Sequence, residues 1–223
     1  MLQGATANMS LGGGSSKTLD LAVNAAVDAG LHFAVAAGND NQDACSYSPA
    51  ASDKAVTVGA SSLADARAYF SNHGKCVDIF APGLNILSTW IGSNYATNTI
   101  SGTSMASPHI CGLLSYFLSL APSSDSDFTV PTTPAKLKKR MVNIGTPDML
   151  TDVPSGTTNL LAWNGGIDKN GTSKFRLEED AVSNDKHSWQ DAVREDFEKI
   201  EKEGLEWMEK AKDFLRKEVE GVL

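Results

Sequence analysis

The sequence predicts an α/β domain, a parallel sheet with helices on both faces, followed by a charged helical tail. Three observations carry this expectation. Short apolar strand-like runs alternate with helical periodicity between Asn8 and Trp163, and such alternation is the pattern of a parallel sheet. The run His32–Ala37 is almost continuously apolar, as in a strand covered on both faces. The ten glutamates all fall at Glu178 or later, while residues 1–166 hold eight Lys/Arg against eleven Asp. A composition shift of that kind marks a boundary. The expected organisation is a domain over 1–166, a polar linker over 167–187 and an acidic amphipathic helical extension over 188–223.

In chain order, Asn8–Leu11 is expected as a short strand leading into the glycine-rich bend Gly12-Gly13-Gly14. Thr18–Ala29 is a helix, because Leu19, Ala22, Val23, Ala26 and Val27 recur at spacings of three and four and Gly30 follows as a stop. His32–Ala37 and Val56–Ser61 are strands, Asp78–Ala81 is short and extended, and Ser104–Leu120 is a long buried helix. Ser123–Pro134 is a Ser/Asp/Thr/Pro loop, Thr133–Asn143 a smaller basic helix, and Leu160–Trp163 closes the domain. In the tail, Trp189, Val193, Phe197 and Ile200 share a helical face that Leu205, Met208, Leu215, Val219 and Val222 continue past Gly204. The plain reading is a helix with a solvated charged face; a removable extension or a partner-binding helix are the alternatives.

The chain has 223 residues, 41% of them hydrophobic, which suffices for a sizeable core. It contains no apolar run long enough for a membrane-spanning helix. Met1–Ala7 has neither basic residues nor an apolar core, so it does not read as a signal peptide. A net charge of −8 without a basic stripe argues against a nucleic-acid partner. Of the three cysteines, Cys111 lies on the apolar helix and reads as a small buried hydrophobe. Cys45 and Cys76 lie in loop-like sequence, and the residues alone leave a bridge and free thiols both open. Asn170-Gly171-Thr172 is a glycosylation sequon; Asn8-Met9-Ser10 is one formally but leads into a strand expected to be buried.

The most informative segment is Gly102-Thr103-Ser104-Met105-Ala106-Ser107-Pro108. It sets a serine at the mouth of a helix, behind a glycine expected to allow a sharp turn. Pro108 is expected in the first helical turn, where a missing N–H costs little. The helix N-terminus offers unpaired N–H groups and the positive end of the dipole. Such a site suits a nucleophile whose reaction develops an oxyanion. His109 reads as a surface histidine of the helix rather than a base. Gly102-x-Ser104-x-Ala106 also matches a nucleophile elbow, with Asp152 and His187 following in order. That reading fails because no clear strand precedes Gly102 closely and His187 lies beyond the domain boundary.

Two further segments, Asn8-Met9-Ser10-Leu11-Gly12-Gly13-Gly14 and Phe33-Ala34-Val35-Ala36-Ala37-Gly38-Asn39-Asp40, join the serine segment in one order along the chain. With Tyr47-Ser48-Pro49-Ala50, Thr57-Val58-Gly59-Ala60, Phe70-Ser71-Asn72, Asp78-Ile79-Phe80-Ala81-Pro82-Gly83 and Ile86–Trp90, they resemble the subtilisin-like serine proteases. The likeness points to the proteinase K branch and to the fungal vacuolar proteases of the cerevisin type. It runs from Asn8 to Gly166.

The resemblance implies a subtilisin-like parallel sheet, with Ser104 as nucleophile and Asn39 as oxyanion donor beside the Ser104 N–H. It implies substrate-pocket walls at Ser10, Leu11 and Gly12 and at Ala36, Ala37 and Gly38, polypeptide substrates, and a vacuolar or secreted location. No cofactor is needed for the chemistry. A structural calcium is implied at Asp78 with the carbonyls of Asp53 and Ala55, although the family has proline where Asp53 stands. The cerevisin-type enzymes resemble this chain in having both Cys45 and Cys76. In family order the triad Asp and His precede the Ser-Leu-Gly-Gly segment. Asp28-Ala29-Gly30 comes after it, and His32, His73, His109 and His187 all lack the family context. The chain is therefore expected to be the C-terminal part of a catalytic domain, inactive alone, whose partner is the upstream half. The competing expectation is a non-catalytic fragment met as a fungal allergen, with antibodies as partners.

Overall fold

The computed structural model describes residues 4–120 and 132–166, all in the first of the chain's two units, Met1–Leu177. The strands and helices in chain order are β1 (Thr6–Met9), β2 (Gly13–Gly14), α1 (Lys17–Asp28), β3 (His32–Ala36), β4 (Tyr47–Ser48), β5 (Val56–Ser61), β6 (Ile79–Pro82), β7 (Ile86–Thr89), β8 (Thr97–Ile100), α2 (Thr103–Ser119), α3 (Pro134–Ile144), β9 (Thr146–Pro147) and β10 (Leu160–Leu161). The principal sheet has the order β1-β3-β5-β6-β10-β9. All its neighbours run parallel except β9, which is antiparallel to β10. The expected linker, tail helix, sequon at Asn170 and most of the Ser123–Pro134 loop lie outside the described residues.

The period of two along β3 explains the layering. Phe33 and Val35 face α1 and pack with Val23, Val27 and Ala55. Ala34 faces the other way, with Val56, Val58 and Ala60 of β5, against Ala106, Ile110, Leu114 and Phe117 of α2 and Leu137 and Met141 of α3. A third cluster gathers Phe80, Val77, Ala37, Ala44, Ala50 and Leu150. Gly59 is required there, because a Cβ would lie 2.3 Å from the Phe80 ring. Ser16 caps α1 by accepting from the Leu19 N–H. Thr133 caps α3 likewise, with Pro134 in the first turn.

Several expectations are corrected. The first strand is not buried: among the described residues β1 stands at the edge of the sheet, and Asn8 is exposed. Its side-chain amide is nevertheless engaged, since Nδ2 donates to Ser10 Oγ at 2.9 Å. The pairs β2–β4 and β7–β8 had no clear sequence signal. A strand, β8, does precede Gly102 closely, but it pairs with β7 in a separate two-stranded antiparallel ribbon. Ser104 therefore does not stand at the end of a parallel-sheet strand, as a nucleophile elbow requires. Pro108 lies inside α2, not in its first turn. Cys45 and Cys76 form a disulfide with Cα atoms 5.3 Å apart. Closing a loop with a sequence separation of 31 residues stabilises by roughly 3–4 kcal/mol in the chain-entropy account. Cys111 is a free thiol, half-buried against the core.

Candidate active site

Three chain segments meet at one end of the sheet: the run after β1, the run after β3, and the N-terminus of α2. Ser104 is the second residue of α2, so its N–H has no acceptor within the helix. Asn39 follows β3 and turns its side chain to α2. Its Oδ1 accepts from the Thr103 N–H at 2.8 Å and from the Thr103 hydroxyl at 2.9 Å. A backbone N–H can only donate, so the atom it meets is the amide oxygen, and Nδ2 is left as the free donor end. A methyl group placed on Gly102 would stand 3.5 Å from Ser104 N and 3.6 Å from Asn39 Nδ2. Both donors thus border one small space beside Gly102. Gly102 itself is extended, with φ 160°. The expected sharp turn is absent, and what the glycine supplies here is room.

The nucleophile helix is tied to the edge strand through a chain of polar contacts. Pro108 has no N–H, so the Ser104 carbonyl four residues earlier has no helical donor. Ser10 fills the gap, its hydroxyl donating to that carbonyl at 2.8 Å. In return, the Ser104 hydroxyl donates to the Ser10 carbonyl at 3.3 Å. Asn8 extends the chain, donating to Ser10 Oγ and accepting from Ser107 Oγ at 2.6 Å.

Two positioning residues had no role assigned from sequence. Buried Asn72 donates to the Ala37 carbonyl at 2.8 Å and accepts from the Asp40 and Gln42 N–H groups at 3.1 and 2.9 Å. It thereby shapes the turn that presents Asn39. Gly38, at φ +105°, is needed in that turn: a Cβ there would lie 2.3 Å from Asn72 Nδ2. Thr103 Oγ1 also accepts from the Gly38 N–H at 3.1 Å. Asn72 was visible only as part of a motif, since burial of a polar side chain leaves no local mark. Thr103 stood beside the serine, and its position at the helix start was the available signal.

These groups surround a cavity of about 350 Å³ whose lining includes Ser10, Leu11, Gly12, Ala36, Ala37, Gly38, Asn39 and Ser104. Leu11 is exposed on the rim, and Ala36 and Ala37 form buried walls. The short β2–β4 pairing brings Tyr47 to one side. Burial raises the Tyr47 phenol above its ordinary pKa, and its hydrogen bond to Asp40 and that residue's charge add to the effect.

Imidazole is not among the partners of Ser104 in the described residues. His109 is exposed and turned to the Met105 carbonyl at 2.8 Å, as expected of a surface histidine. His32 is buried at the start of β3 with Nδ1 unpartnered, and burial lowers its pKa. His187 lies outside the described residues.

The oxygens expected to hold calcium do converge, but on a side chain. Lys138 Nζ donates to the Asp53 carbonyl at 3.0 Å and the Ala55 carbonyl at 2.6 Å, and pairs with Asp78 Oδ2 at 2.9 Å. Asp78 Oδ2 also accepts from the Thr57 N–H at 2.8 Å. Burial raises the Asp78 pKa; the Lys138 charge and hydrogen bond and the Thr57 N–H partly offset this. Calcium seats itself about 2.3–2.6 Å from its oxygens, and that space is filled by the ammonium. The residues present do not fit the ion.

The sequence profile of the Subtilase family matches residues 5–173. A subtilisin-like protease of Coccidioides posadasii (strain C735) is 74% identical over 172 residues, which is 77% of this chain and 35% of the relative. Subtilisin-like serine protease Pen c 2 of Penicillium citrinum is 74% identical over 171 residues, 76% of this chain and 37% of that protein. The chain thus spans little more than a third of the length of these relatives. Among solved structures, a cold adapted subtilisin-like serine proteinase matches with TM-score 0.64 and 43% identity, over 71% of this chain and 54% of that one.

Proposed function

The chain belongs to the Subtilase family, and from that premise we propose that it is the nucleophile-bearing part of a serine endopeptidase. The observation that carries the reading is the convergence of Ser104 N and Asn39 Nδ2 on the space beside Gly102, next to the Ser104 hydroxyl. An extended peptide lies along Ser10–Gly12, adding a strand to that stretch of backbone. The Ser104 hydroxyl leaves its 3.3 Å bond to the Ser10 carbonyl, a weak contact by length. It attacks the scissile carbonyl and forms the acyl–oxygen bond. The carbonyl π electrons move onto the oxygen, where the Ser104 N–H and the Asn39 amide stabilise the charge. Collapse of that intermediate breaks the C–N bond as the base passes the Ser104 proton to the leaving nitrogen, which departs as a free amine, and water, deprotonated by the same base, then hydrolyses the acyl enzyme.

The proton of Ser104 needs a base, and a serine without one is a poor nucleophile. In this reading the base and its orienting carboxylate come from residues outside this chain, so the 223-residue chain alone turns over no peptide. The Cys45–Cys76 bridge supports an oxidising location, a vacuole or the cell exterior.

The test compares the full-length protein, its Ser104→Ala variant and this chain with a chromogenic peptide and a fluorophosphonate probe. The reading expects the probe on Ser104 of the full-length protein and loss of at least about 10⁴-fold in kcat in the variant. Turnover that survives Ser104→Ala would overturn it. Ser104-dependent turnover by the short chain would overturn the assignment of the base.

A further inference from the structure

The cation cradle described above joins three parts of the fold. The turn before β5 supplies the Asp53 and Ala55 carbonyls, the start of β6 supplies Asp78, and α3 supplies Lys138. The lysine is brought there by its helix. Leu137 and Met141 are buried in the core, which sets the rotation of α3 and leaves the Lys138 stem partly covered, with 20% of its side chain exposed.

We propose that Lys138 is the permanent cation of this cradle, so that the junction of β5, β6 and α3 is held by an ammonium of the chain itself and takes no divalent ion. Charge and donor count both favour this arrangement. The cradle carries one carboxylate and two neutral carbonyls, and one ammonium neutralises it, whereas a divalent ion would leave a net positive charge. An ammonium has three N–H donors and no acceptor, and three oxygens meet it. The Asp53 carboxylate is engaged elsewhere: its Oδ1 accepts from Asn24 Nδ2 at 2.7 Å. Asn24 Oδ1 in turn accepts from Ser52 Oγ at 2.6 Å and from the Lys54 N–H at 3.3 Å. The turn is thus pinned from α1 by Asn24 and from α3 by Lys138. A hard divalent cation prefers six to eight oxygens, so an ion here would need water beside the three protein oxygens, and the ammonium standing among them leaves no room for that shell.

A consequence is a latent site. Removing the ammonium while keeping the three oxygens should create a calcium response that the natural protein lacks. The experiment uses the full-length protein in a Ser104→Ala background, so that no hydrolysis competes, freed of metal with chelator and titrated with calcium chloride. Thermal midpoint and calorimetric binding are read for Lys138→Ala, for Asp78→Asn and for the parent. The parent and Asp78→Asn should respond equally to calcium, any remaining response belonging to other sites. Lys138→Ala in chelator should lose roughly 3–8 °C in midpoint, gain one calcium site, and recover most of the loss in millimolar calcium. Adding Asp78→Asn to Lys138→Ala should abolish that gain.

A second measurement needs no variant. Reductive methylation read by mass spectrometry should find Lys138 equally protected in chelator and in calcium. A calcium-dependent rise in Lys138 reactivity, or a parent calcium site lost in Asp78→Asn, would show that the lysine yields to the ion and overturn the proposal. Lys138→Ala that folds but gains no calcium site would refute the latent site.

Discussion

The nucleophile corner and the Lys138 cradle are built alike and differ in one respect. Each joins separate elements through side chains that bind backbone oxygens or N–H groups. In the cradle every donor of the ammonium is spent on an oxygen of the fold. In the corner the acceptor of Asn39 is spent twice on Thr103, while its Nδ2 and the Ser104 N–H both stand beside Gly102 with no acceptor of the fold among the described residues. Spent groups hold a structure together; oriented groups left unspent can act on a second molecule.

Mutations that lower activity without lowering stability, or the reverse, separate the two. The largest effect is expected at Asn39. In the full-length protein Asn39→Ala should lower kcat by about 10²–10³, with little change in KM, because the amide acts chiefly in the transition state. The thermal midpoint should stay near the parent value. A loss confined to KM would make Asn39 a binding residue instead. Gly102→Ala should lower kcat by about tenfold or more while the protein still folds, since its methyl would enter the space shared by the two donors. Unchanged kcat would place the oxyanion elsewhere.

Ser10→Ala tests whether the corner also contains spent groups. Removing the hydroxyl leaves the Ser104 carbonyl without a donor, at a cost of about 1–3 kcal/mol where water cannot reach it. A joint Ser10→Ala, Pro108→Ala variant restores a helical N–H four residues on and should recover part of the midpoint. Purely additive losses would show that Ser10 and Pro108 are not coupled.

The smallest effect concerns pH. Burial lowers the His32 pKa below its ordinary 6.5, so the folded state disfavours the charged imidazole. The contribution of neutral His32 is complete above about 6.5 and is lost as pH falls from there toward the lower folded-state value. His32→Gln should flatten the midpoint-against-pH curve in the range just below about pH 6.5. An unchanged slope would mean that other groups carry the acid sensitivity.

Legibility followed how local each signal was. The ranges of α1, β3 and β5 were readable because their period or unbroken apolar character is written within a few neighbouring residues. Ser104, Asn39 and the pocket residues were readable by resemblance, and the structure brings them around one cavity. The β7–β8 ribbon escaped notice because most of its residues are polar or exposed. The two-residue strands β2 and β4 are too short for any period. Asn8 was expected in a buried strand, yet whether a strand is central or at the edge depends on its neighbours.

By itself the sequence determined the α/β class and the principal elements, because these rest on residue type and spacing within one segment, while the roles expected of Ser104 and Asn39 came from resemblance. Only the tertiary structure decided which way the Asn39 amide points, that Ser10 answers the carbonyl orphaned by Pro108, and that Lys138 fills a cradle sixty and more residues distant in the chain. The physical reason is common to all three. A donor is satisfied by whichever acceptor the fold brings within about 3 Å, and that neighbour is set by the packing of distant elements.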